Sequence, residues 1–253
     1  MNETLRIIED RRSVRSYEPR PIGREDRDAI VHAAMRAPTA GNLMLYSVLE
    51  IEDQAIKDRL AVTCDHQPFI ATAPLVLVFL ADLQRQYDFF EWSGVGPMCA
   101  DRGIPFRPPT EGDLVLAAGD ALIAAQTAVI AAESLGIGSC YIGDILENCE
   151  IHRELLALPD HAFPIAMLCF GHPTERQSKL PRSSRLSEDL VVFKDSYRRL
   201  AAGELATMAA AESGTEASGP NAGQRVYLRK FASDFSLELN RSVREMMRIW
   251  TGA

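Results

Sequence analysis

A chain of 253 residues, 47% hydrophobic and 25% charged, has the make-up of an ordinary globular protein with room for one large domain or two small ones. Its net charge of −8 argues against nucleic acid as a partner. Five cysteines (64, 99, 140, 149 and 169) form no CxxC or CxxxC pair, which suits free thiols in a reducing compartment and speaks against a zinc site or a disulfide framework.

The opening MNETLRIIEDRRSVRSY is too charged for a signal peptide, so a soluble cytoplasmic protein is expected. Asn2 or Thr4 caps a first helix bearing Leu5, Ile7 and Ile8, and Pro19 and Pro21 end the segment that follows it. Residues 24–36 read as a second helix with Ile30, Val31, Ala33, Ala34 and Met35 on its apolar side. The turn residues 37–42, APTAGN, stop it. Strands are expected at 47–51 and 74–81, the latter (PLVLVFLA) continuous and apolar as in a sheet core, with a helix at 54–62 between them.

Residues 82–112 change character, with Tyr87, Phe89, Phe90, Trp92 and Phe106 among four prolines and four glycines. A lid or pocket wall and an irregular excursion packed on the core fit this segment equally well. Then comes the stretch on which the chain is organised, 114–135, almost wholly Ala, Leu, Ile and Val. Asp113, Asp120, Thr127 and Ser134 recur every seventh residue, forming one narrow polar seam. A helix apolar nearly all round is a buried one. Its length suits a membrane span, but Asp120, Gln126 and Glu133 and the lack of a second such segment favour a core helix and no membrane. Gly136 stops it, and residues 139–143 read as a short strand ending in a backbone open to close approach. A short helix at 151–158, a buried strand at 163–170 and a basic loop at 176–185 complete the body. Residues 201–223, rich in Ala, Gly, Ser and Glu, read as a linker. Beyond it, Phe231, Phe235, Val243, Met246 and Trp250 give 227–250 enough apolar surface to dock on this subunit or on a partner.

Arg11, Arg12, Ser13 and Arg15 lie within five residues of an otherwise acidic chain. Guanidinium forks suit phosphate oxygens, and a serine hydroxyl adds a neutral donor. A solvated charge run pairing with Glu9, Asp10 or Glu18 is the plainer reading of the cluster alone. The second basic loop, with Lys179, Arg182 and Arg185, alters the balance, because two such loops can converge on one dianionic phosphate. Pro38, Thr39, Ala40 and Asn42 either stop a helix or offer amides to a flat polar ring. The five histidines show no metal spacing, and His32 reads as a satisfied core histidine. No GxSxG, phosphate-loop or dinucleotide glycine pattern occurs, so an enzyme of this sequence would borrow its reactive group.

In order and spacing, RRSVRSY, APTAGN, QPFIATAPLVLVF, AAGDALIAAQTAVIAAESLGIGSCYIGD, FGHPTERQ and LPRSSRL together resemble the nitroreductase family of FMN-dependent flavoenzymes. The resemblance implies an α+β fold, a mixed and mainly antiparallel sheet flanked by helices, in an intertwined homodimer with the long apolar helix at the subunit interface. It implies an FMN-binding domain over 1–200 and an extension over 201–253. Arg11, Arg12 and Ser13 would hold the phosphate, helped by Arg182 or Arg185. Arg15 and Gln67 would face the pyrimidine end of the flavin. Cys140, Tyr141, Ile142 and Gly143 would lie along its face and edge, and Pro38, Thr39, Ala40 and Asn42 would reach it from the other subunit. Many members follow the asparagine with Gln-Pro-Trp, where this chain has Leu43, Met44 and Leu45.

The implied activity passes hydride from NADH or NADPH to a nitroaromatic or quinone by a ping-pong route, with no side chain as acid or base and no metal. Reductive dehalogenation, flavin destruction, flavin storage with little turnover, and a scaffold that uses the tail stand as alternatives.

Overall fold

A computed structural model describes residues 1–211 and 220–252. Asn2 caps helix α1 (Glu3–Asp10), accepting the Leu5 N–H at 2.9 Å. Helix α2 (Arg24–Met35) buries only Ile30 and Ala34; Met35 and His32 are exposed, so the expectation of a core histidine at 32 is wrong. The buried histidines are His152 and His172. Strand β1 (Tyr46–Glu50) leads to α3 (Gln54–Thr63), α4 (Phe69–Thr72) and β2 (Leu75–Asp82). In the aromatic segment at 82–112, which reads equally as a lid or as an irregular excursion, two helices form, α5 (Gln84–Trp92) and α6 (Val95–Asp101). The long helix is α7 (Glu111–Ser134), opened by a capping box between Thr110 and Asp113. Strand β3 (Gly138–Ile142), α8 (Cys149–Leu155), β4 (Ala162–Gly171) and α9 (Glu175–Ser178) follow. The last helices are α10 (Ala202–Ala211), α11 (Ala222–Lys230) and α12 (Asp234–Thr251). The linker expected at 201–223 is therefore helical in its first part; residues 212–219 lie outside the described residues.

The sheet order is β1-β2-β4-β3, antiparallel throughout. All eight residues of β2 are buried because helices cover both faces. Val76, Val78 and Leu80 point into a core shared with α3 and α4, while Leu75, Leu77 and Phe79 point into one built with α2 and the alanines of α7. The fold is thus α+β, with helical layers on both sides of the sheet.

Helix α7 is long and apolar enough to cross a membrane, with mean hydropathy 1.8. Within this chain only one side of it is buried: Ala117, Ala121, Ala124, Ala125, Ala128 and Ala132 pack on the sheet and α2. Val115, Leu116, Leu122 and Ile123 stay exposed, which corrects the reading of a helix buried all round.

The described chain forms two compact units, Met1–Leu180 together with the chain from Glu238 onward, and Pro181–Leu237. In the second unit, Asn221 and Gln224 form a capping box on α11, and Tyr227 stacks on Phe231 at 6.1 Å. In the first, the end of α12 docks as its apolar residues suggest. Ser242, Met246 and Trp250, spaced by four, are buried. The Trp250 indole donates to the Thr110 carbonyl at 3.1 Å, at the start of α7. Glu238 and Ser242 accept the backbone N–H groups of Asn148 and Cys149, each at 3.1 Å. Those amides open α8, whose own N-cap Asn148 makes no side-chain cap.

Candidate functional site

Helix α1 ends where Arg11 turns extended, and the chain then runs along the edge strand β3. The Val14 N–H donates to the Ser139 carbonyl at 2.8 Å, and Ser13 bridges Ser139 in the parallel sense. Two glycines make this approach possible. A Cβ on Gly138 would sit 2.4 Å from Val14, and one on Gly171 would sit 2.5 Å from Tyr17. The arginine segment is therefore a fixed edge of the sheet, not a loose charge run.

Burial pushes the Cys140 thiol up, while Arg15, Ser13 and Arg11 oppose the shift. Burial likewise takes Tyr141 up to about 12, against the pull of Arg11. Arg11, Ser13 and Arg15 are thus gathered beside β3. Arg12 is engaged differently: its Nη1 donates to the carbonyls of Ser178 (2.7 Å) and Leu180 (2.5 Å), so it ties down the turn that follows β4. Gln177, the last residue of the FGHPTERQ motif and given no role of its own by the sequence, completes the tie. Its Oε1 accepts the Arg15 N–H and its Nε2 donates to the Ser13 carbonyl, both at 3.3 Å. A cleft of about 220 Å³ opens here, lined among others by Arg12, Glu133, Gly138 and Ser178. Burial raises the Glu133 carboxyl to about 7 despite Arg11 and Arg12, and its Oε1 has no hydrogen-bond partner.

At the other end of β3, Ile142 leads into a one-turn 3-10 helix, Gly143–Leu146. A Cβ on Gly143 would meet nothing within 4 Å, so its backbone faces open space. Gln67 is drawn to the same turn, donating to Asp144 at 2.9 Å and to the Cys64 carbonyl at 3.0 Å. The positive φ of Asp65 (58°) and His66 (51°) swings the chain so that the Gln67 N–H returns to the Ala61 carbonyl at 2.8 Å. Cationic groups at one end of a strand and an open glycine backbone at the other are the donor set a phosphate-bearing planar cofactor needs.

The turn of Pro38, Thr39, Ala40 and Asn42 lies elsewhere on α7. Asp120, 3% exposed, accepts the Ala40 N–H at 2.8 Å and the Leu45 N–H at 3.1 Å. The arginine end of the site meets α7 at Val129, Ile130 and Glu133. At about 1.5 Å per residue, those two places on α7 are roughly 14–20 Å apart. One chain therefore does not bring the turn to its own arginine segment. Arg182 and Arg185 belong to the second unit, where Arg185 donates to the Ser184 carbonyl at 3.2 Å.

The model of the nitroreductase family matches residues 8–172, which include the arginine segment, the turn, Gln67 and all of β3. The chain belongs to the nitroreductase family. Among its relatives, the FMN reductase (NAD(P)H) of Bacillus subtilis is 34% identical over 197 residues, spanning 78% of this chain and 75% of its own. The oxygen-insensitive NADPH nitroreductase of Salmonella typhimurium is 32% identical over 200 residues, 79% of this chain and 77% of its own. The solved structure of the NADPH:FMN oxidoreductase from Vibrio harveyi complexed with NAD+ superposes with a TM-score of 0.77 at 26% identity, covering 97% of this chain and 98% of that one.

Proposed function

We propose that this nitroreductase-family protein is an FMN-dependent oxidoreductase, a soluble cytoplasmic homodimer that takes hydride from NADH or NADPH and passes it to a nitroaromatic or quinone-like acceptor in a ping-pong cycle. The observation that carries this reading is the arginine segment held as a rigid extra edge beside β3, with the exposed Gly143 backbone at the strand's far end. Bound FMN supplies the redox chemistry, alternately accepting and donating hydride. The residues of the chain bind and orient. Arg11 and Ser13, with Arg182 or Arg185, hold the phosphate, and Arg12 and Gln177 keep that corner in place. Arg15 sets a fixed positive charge where negative charge grows on reduction. Gln67 and the backbone of residues 140–143 line the ring, and no side chain acts as acid or base. Residues 1–200 hold the cofactor and 201–253 form the extension.

Two features support a dimeric site. Val115, Leu116, Leu122 and Ile123 leave an apolar face of α7 uncovered, which a second copy would bury. The turn at 38–42, too far along α7 to serve its own arginine segment, would then serve the partner's flavin.

The test is a visible spectrum of the purified protein, read after adding FMN and again after anaerobic NADH or NADPH. A flavin spectrum that bleaches is expected, and Arg11→Ala combined with Arg185→Ala should weaken FMN binding by about a hundredfold, the worth of two charge-assisted contacts. A protein that stays colourless with FMN, or a double variant that binds it as tightly, refutes the reading.

A further inference from the structure

We infer that Asp120 is a positioning residue of the flavin site: from within α7, its two carboxylate oxygens hold both ends of the turn at 38–45 in the shape that meets the cofactor of the other subunit. The inference rests on the functional reading above and adds the residue that sets the cross-subunit wall of the site. The geometry is specific. Oδ1 takes the Ala40 N–H and Oδ2 the Leu45 N–H, so one side chain spans the whole turn. Between these anchors, Gly41, Asn42 and Met44 all adopt positive φ (57°, 57° and 52°). Asparagine and methionine enter that region at a cost, and they stay there only where the surroundings over-determine the backbone. Thr39 Oγ1 adds one further restraint by accepting the Met44 N–H at 3.2 Å, and Arg85 another by donating to the Met44 carbonyl.

The chemistry explains why the residue is an aspartate inside an otherwise apolar helix. Two N–H donors converging on one short side chain require an acceptor on each oxygen. Asparagine would present an NH2 group to one of them, and alanine would leave both donors without this acceptor, the Leu45 one buried. The same helix carries the uncovered apolar face at Leu122 and Ile123, two and three residues away. Asp120 thus ties the turn to the element expected to meet the second copy, and turn and interface move together.

The test compares wild-type holoenzyme with Asp120→Asn and Ala40→Pro. The second variant leaves the carboxylate in place and deletes one of its donors. Thr39 is already extended and Ala40 begins a helical turn, so proline fits there. In both variants the amides of 41–45 should exchange with deuterium about tenfold faster or more, the worth of one charge-assisted hydrogen bond. The visible circular dichroism of bound FMN should change, and kcat/KM per bound flavin should fall by about tenfold, while FMN affinity, set by the phosphate contacts, moves by less than about threefold. A merely structural aspartate would lower the melting temperature and leave the dichroism and the per-flavin kinetics alone; that result overturns the inference, as does unchanged exchange at 41–45. Wild-type protein that takes up no FMN overturns the functional reading and this inference with it, whereas flavin-loaded wild type beside unaltered variants overturns this inference alone.

Discussion

Glu147 sits 7% exposed with Oε1 unpartnered, and burial, helped by Asp144, Asp65 and Glu238, lifts its carboxyl to about 7. Its native pKa lies above the ordinary value of 4.5, so its contribution to stability is complete below pH 4.5 and is lost as the pH rises through 7. Replacing it by glutamine should raise the melting temperature at pH 8, by the equivalent of about 1–3 kcal/mol, and change little at pH 4.5. Thermal denaturation across that range checks the sign; a gain confined to acid pH refutes it. His152 works in the opposite direction. Burial pushes its imidazole down, with its ring nitrogens on the Ile145 carbonyl and the Thr63 hydroxyl. Its contribution is full above the unfolded value of about 6.5 and is lost as the pH falls through the lowered native value. Together the two groups place maximal stability between the acid and alkaline arms of the profile.

At the scale of elements, α12 supplies what α8 and α7 lack. The amides of Asn148 and Cys149 at the start of α8 find acceptors in Glu238 and Ser242, and Arg241 pairs with Glu150 through two contacts of 2.8 Å. Trp250, fully buried, fills the third apolar cluster and bonds to the residue that caps α7. Ser242→Ala should cost about 1 kcal/mol, as the loss of a cap does, and Trp250→Ala about 3–5 kcal/mol. Urea denaturation measures both. If Trp250→Ala melts like wild type, the tail does not hold the body together. The aromatic excursion illustrates the reverse case: prolines and glycines hid α5 and α6, because Tyr87 packs against Phe90 and Phe106 in contacts that no local pattern announces.

For the whole molecule, the decisive surface is the outer face of α7. Leu122→Glu with Ile123→Glu puts two charges on the patch assigned to the second copy, and burying them there would cost several kcal/mol. The variant should elute as a folded monomer with little turnover per bound flavin, since the turn at 38–42 would no longer reach a partner's flavin. Light scattering decides the matter; a double variant that remains dimeric places the interface elsewhere.

Much of this was legible in one dimension. The continuous apolar run of β2, a cap at Asn2 or Thr4 (Asn2 in the event), the glycine stop after α7 and the close-approach strand expected at 139–143 all follow from local pattern, since hydrogen bonding and side-chain periodicity act over a few residues. The ordered series of motifs from Arg11 to Gly143 was legible for the same reason, and the family match covers it. Only the folded chain decided which side of α7 is buried, that His32 faces solvent, and that Arg12 serves the main chain of the turn after β4. The same holds for Asp120, Gln177 and the tail. Their partners lie 75 or more residues away for Asp120 and 162 or more for Gln177, and Ser242 reaches back 93 residues. Such pairings arise when the layers close over the sheet, and no window of neighbouring residues contains both halves.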